Sequence, residues 1–105
     1  MIKCDCRERK GIEINSIQLF KELEAFFEKQ VTDGIFSDVK VESPYYVWID
    51  EVSAEKVEWY ANKWYKCNSC GALWEFSYPD FPTKGFVRKY ENGKYSGKEV
   101  RKSGY

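Results

Sequence analysis

The chain contains no histidine. That removes the commonest general base and every Ser-His or Cys-His catalytic pairing. It also removes the most frequent metal ligand, so any metal site here must rest on sulfur or oxygen. No apolar run approaches the ~18–20 residues needed to cross a bilayer. Residues 1–6 carry Lys3 and Asp5 where a secretory signal would place an apolar stretch. The expectation is a cytoplasmic protein. The glycines at 34, 71, 85, 93 and 97 are scattered and form no phosphate-cradling loop. Repeats and low-complexity segments are absent. Carboxylates are plentiful, but solvated surface acids account for them. The chain is therefore expected not to be an enzyme.

What remains is aromatic and balanced in total charge. Phe, Trp and Tyr make up 18% of 105 residues, enough for one domain over residues 1–105 with its own core. Net charge is zero, but its distribution is uneven. Residues 1–10 sum to +2, residues 11–83 to −7 and residues 84–105 to +5. An acidic body with basic ends suits electrostatic steering of a partner.

The hydrophobic period is helical first and then changes to two. Ile17, Phe20, Leu23, Phe27 and Val31 recur at spacings of three and four, predicting an amphipathic helix. Asn15 or Ser16 would cap it, with Gln18 completing a capping box from Asn15, and Gly34 would end it. Glu22, Glu24 and Glu28 fall off the apolar stripe. Strand patterns follow in SDVKVES, YYVWID, VEWYANKWYKC and ALWEFSY. Asn92-Gly93 between short β-prone runs predicts a type I′ hairpin. Residues 96–105 read as a flexible tail. The fold class is α+β, one amphipathic helix packed on an antiparallel sheet.

Four cysteines stand as two close pairs, Cys4-x-Cys6 and Cys67-x-x-Cys70. In a cytoplasmic chain this favours metal or reduced thiols over disulfides. Each pair can deliver two thiolates from one turn, and four thiolates make a common tetrahedral zinc set. Gly71 relieves crowding just past the second Cys of a metal-binding turn. Lys66, Arg7 and Lys3 would temper the charge. Cys4, Cys6, Cys67 and Cys70 are thus the expected ligands of a structural Zn²⁺, iron being the variant, tying the N-terminus to a central hairpin. Four protein ligands leave no open position for hydrolysis. Thiol redox chemistry is the competing reading, but it needs the motif to open a helix. Here strand alternation follows.

Two partner classes are open. Lys84, Arg88, Lys89 and Lys94 interleave with Phe86, Tyr90 and Tyr95, a pattern for stacking bases and holding phosphates. Against it, the pI is near 6.3. KCNSCGALWEF resembles the Cys-x-x-Cys-Gly half of zinc-ribbon and rubredoxin-like knuckles, which implies a metal site. In size, helix count and aromatic content the chain also resembles the small immunity proteins of bacterial toxin–immunity pairs, those of contact-dependent inhibition included. That resemblance implies a protein that binds and neutralises one cognate toxin domain. The acidic candidates for such a surface are Glu22, Glu24 and Glu28 on the helix and Asp50, Glu51, Glu55 and Glu58 beyond it. Trp48 or Trp59 would be the anchors.

Overall fold

The computed structural model describes Cys6 and residues 9–103, Ser103 as backbone alone. Strand β1 (Ile12–Ile14) precedes helix α1 (Ile17–Thr32). Seven strands follow: β2 (Phe36–Val39), β3 (Tyr46–Asp50), β4 (Glu55–Trp59), β5 (Lys63–Cys67), β6 (Leu73–Ser77), β7 (Gly85–Tyr90) and β8 (Glu99–Ser103). They form two sheets. The larger is antiparallel, ordered β1-β7-β6-β5-β2, and carries α1 on one face. The smaller is ordered β4-β3-β8, with β3 antiparallel to β4 and parallel to β8. The α+β expectation holds, with the strands divided between two sheets.

Ser16 caps α1, its hydroxyl accepting from the Leu19 N–H at 3.1 Å. The cap is Ser16 and not Asn15, which puts Leu19 at the third helical position in place of Gln18; Gln18 donates to Glu22 on the helix surface. The end of the helix is a Schellman motif. The Gly34 N–H donates to the Val31 carbonyl and the Ile35 N–H to the Gln30 carbonyl. Gly34 sits at φ +77°, where a Cβ is strained. The buried stripe is rotated from the predicted one. Leu19, Phe20, Leu23, Phe26 and Phe27 pack on the sheet, whereas Ile17 and Val31 stay exposed. Two adjacent aromatics, Phe26 and Phe27, bury more area than the ends of the predicted stripe and set the rotation. The Phe27 ring lies flat on Tyr65, centroids 4.6 Å apart.

Central strand β6 alternates as predicted, Trp74 and Phe76 toward the helix and Leu73, Glu75 and Ser77 away from it. Yet all five residues are buried. The second face is covered because the chain beyond β7 folds over it. Tyr95 stacks on Trp64 at 4.8 Å and meets Tyr90 edge-on at 5.1 Å. This packing takes the place of the predicted hairpin. Asn92-Gly93 makes an isolated turn, Gly93 N–H to Tyr90 carbonyl, with positive φ at Gly93 but not at Asn92. A type I′ turn needs both. Residues 99–103, within the segment read as a tail, form strand β8 on the edge of β3, in parallel register.

The small sheet is attached near Tyr45, whose ring meets Phe86 at 5.0 Å, and through buried Val47. Its far end, the turn at residues 51–54, is exposed throughout. The molecule measures 55 × 29 × 20 Å with a radius of gyration of 15.5 Å. A compact domain of this length would have about 13 Å. Among the described residues no helix is long and apolar enough to cross a membrane.

Candidate functional site

β5 ends on Cys67, and the chain turns through Cys70 back into β6. The turn is closed by its own backbone: Gly71 N–H to the Cys67 carbonyl, 2.9 Å, and Cys67 N–H to the Ala72 carbonyl, 2.8 Å. Gly71 takes φ +80°, the role its place after the second Cys predicts. Asn68, inside the turn, ties it to the end of the helix. Its backbone N–H donates to Ile35 and its side-chain amide to the Gly34 carbonyl, while the Ser37 hydroxyl donates to its Oδ1.

Cys6 arrives from the opposite end of the chain and is buried. Lys89 on β7 holds it there. The Lys89 ammonium donates to the Cys6 carbonyl at 2.6 Å and to the Arg9 carbonyl at 2.8 Å. Arg9 in turn lies over the Phe26 ring at 4.2 Å. The sulfurs of Cys6, Cys67 and Cys70 then come within 4.8 Å of one another. Tetrahedral zinc with bonds of about 2.3 Å sets its sulfurs roughly 3.8 Å apart, so the cluster matches the scale of such a site. Cys4 lies outside the described residues, as do Lys3 and Arg7.

Without a cation the electrostatics keep the Cys6 thiol protonated. Burial pushes the Cys6 thiol well above its ordinary value; Cys67 and Cys70 push it further, and the Trp74 indole opposes. A thiol kept protonated is a poor redox nucleophile. The buried Trp74 Nε1 has no partner in hydrogen-bonding geometry, although it acts on Cys6. Sulfur brought to the thiolate form by a cation would give that N–H an acceptor. The residues present can therefore hold a metal. Lys89, one-tenth exposed, brings positive charge close to the cluster and pairs with exposed Glu91 at 3.3 Å. Sequence reading assigned Lys89 to phosphate contacts; only the β-strand alternation that turns it to the helix side of β7 could have corrected that.

The acidic candidates separate into two places. Glu24 and Glu28 line a groove of about 350 Å³ with Asp38, Lys63, Tyr65 and Tyr78, while Glu22 accepts from Gln18 on the helix surface. Lys63 pairs with Asp38 at 2.9 Å. Asp50, Glu51, Glu55 and Glu58 belong to the small sheet and its turn. Asp50 caps that turn: it accepts from the Val52 and Ser53 N–H groups, which hold its carboxyl below its ordinary value. Glu58 accepts from the Tyr60 hydroxyl and faces Lys56 at 3.5 Å. Glu51 and Glu55 are exposed. By register, Tyr46 and Trp48 share one face of the small sheet with Val57 and Trp59. Tyr46 and Trp59 touch at 4.9 Å, and Trp59 and Val57 are exposed.

The basic candidates are mostly engaged. Arg88 covers Phe86 at 4.1 Å and reaches buried Glu75 at 3.8 Å. Tyr90 and Tyr95 are packed against each other over Trp64. Neither a family model, nor a curated protein, nor a solved structure matches this chain. What the fold and site define is an α+β domain whose thiol cluster joins the N-terminal segment to the β5–β6 turn.

Proposed function

We propose that the chain is a non-enzymatic protein-binding module, stapled by a structural Zn²⁺, whose partner is a toxin domain that it neutralises by binding. One observation carries the binding reading: Trp48, Val57 and Trp59 lie together on one face of the projecting sheet. Interface energy concentrates in Trp and Tyr anchors surrounded by polar rims. Here the rim is mostly acidic: Asp50 and Glu55 lie on that same face with Glu99 beside Tyr46, and Arg101, beside Trp48, is paired with Glu99 at 2.8 Å. An acidic rim suits a basic cleft such as that of a nuclease toxin. A set of thiolates alone selects soft metals, zinc among them, and a reducing cytoplasm would keep those thiols available.

Nucleic-acid binding draws less support. The turn at Asn92-Gly93 builds no hairpin, Lys89 is committed to two backbone carbonyls, and Tyr90 and Tyr95 pack internally. The deciding experiment is affinity capture with the tagged chain in native extract, beside a Trp59→Ala, Val57→Ala variant. A stoichiometric protein partner lost from the variant is expected. Recovery of nucleic acid alone, or equal capture by the variant, sinks the reading.

A further inference from the structure

β4 is an edge strand. In the order β4-β3-β8 one side of it is hydrogen-bonded to β3, and no described strand covers the other. All five of its residues are exposed. Such an edge is a template for pairing, and proteins blunt it with charge, especially Lys. Lys56 and Glu58 are placed as such guards. A guard excludes strands that leave its charge unanswered; it admits one that supplies the opposite charge in register.

The sequence Glu55-Lys56-Val57-Glu58-Trp59 is its own complement in this sense. Laid antiparallel on itself about Val57, it sets Lys56 opposite Glu58 of the second copy, and Glu58 opposite its Lys56. Val57 then faces Val57, and Trp59 faces Glu55. Alternation keeps both ion pairs on one face and both valines and both Trp59 rings on the other. Exposed Val57 and Trp59 gain apolar neighbours diagonally across the junction. A two-fold interface requires this self-complementarity, each residue meeting the reciprocal of its own contact.

We infer that β4 pairs antiparallel with β4 of a second copy, joining two three-stranded sheets into one six-stranded sheet across a two-fold axis at Val57. The Lys56–Glu58 pair, 3.5 Å apart within one strand, then answers across the junction as well. The face bearing Trp48 and Trp59 becomes continuous over both copies. The inference does not depend on the partner proposed above, and its test contains no partner.

The test is sedimentation equilibrium of the full chain, under reductant, from about 10 µM to about 1 mM, since an interface this small belongs to the weak class. The expected result is a mass rising toward twice that of one chain. Lys56→Glu sets two like-charged pairs across the axis and should weaken association about tenfold or more. The double variant Lys56→Glu, Glu58→Lys restores opposite charges at both positions and should restore association. Circular dichroism and melting verify that both variants are folded. A chain that stays monomeric throughout overturns the inference. So does a Lys56→Glu variant that associates like the parent, or a folded double variant that fails to recover.

Discussion

At the scale of single residues, Lys89 and Glu75 do the work least expected of charged side chains in a β-rich sequence. Lys89 gives up most of its hydration to bond two carbonyls of the N-terminal segment. Lys89→Met would keep the stem and remove both donors. The expected loss is about 1–3 kcal/mol in chemical denaturation, with metal affinity about tenfold weaker in chelator competition. Unchanged affinity would detach Lys89 from the metal site. Glu75 is a fully buried carboxylate in the central strand, with Oε2 unpartnered and Oε1 accepting from the Tyr90 hydroxyl. Burial raises its pKa above the ordinary 4.5, against the opposing pulls of Tyr95, Arg88, Tyr90 and Trp64. The folded state therefore binds this proton more tightly than the unfolded one. The stability this lends is full below the unfolded pKa and is lost as pH rises through the folded one. Glu75→Gln removes that dependence. Its melting temperature relative to the parent should climb as pH rises from about 4 to 7. A difference that is flat with pH, or that falls, would contradict the assignment. Neither role was legible beforehand, because alternation gives the face a residue takes but not what later chain covers that face.

At the scale of elements, legibility follows how local the determining contacts are. α1, β3 and β6 were readable because capping, periodicity and alternation act within a few residues. The stop at Gly34 was readable for the same reason. Gly34→Ala should cost about 1–2 kcal/mol, because the left-handed backbone stays strained even though no atom lies within 4 Å of the added Cβ. Gly34→Asn should cost less. Urea denaturation measures both, and equal stability of all three chains would remove the Schellman end from the account. β8 was not readable, since its pairing partner is β3, from Tyr46↔Glu99 to Asp50↔Ser103 in parallel register. Local sequence there offered a strong turn signal at Asn92-Gly93. Tertiary contact won: stacking Tyr95 on Trp64 and pairing β8 on an open edge outweigh a hairpin that would bury neither.

At the scale of the whole molecule, the question is what closes an elongated chain with two small sheets. The proposed metal joins Cys6 to Cys67 and Cys70, residues sixty-one or more positions apart, around the helix and β2 to β5. In a chain-entropy account a cross-link of that span restricts the unfolded state by about 4 kcal/mol. For a domain of about 100 residues this corresponds to a melting shift on the order of 20 °C. The cysteine spacing made the cluster legible in sequence, and the fold brings its three described members together, because sulfur pairs on short turns need only one long-range encounter. The expected results are about one zinc per chain by elemental analysis and a melting temperature lowered on the order of 20 °C after chelation under conditions that open the site. Cys67→Ser should melt with the chelated parent and show no further loss with chelator, because the cross-link is already gone. If chelation lowers both chains equally, the loss does not pass through the thiols. If it lowers neither, the N-terminal segment is held by Lys89 and by packing alone, and the metal staple is wrong.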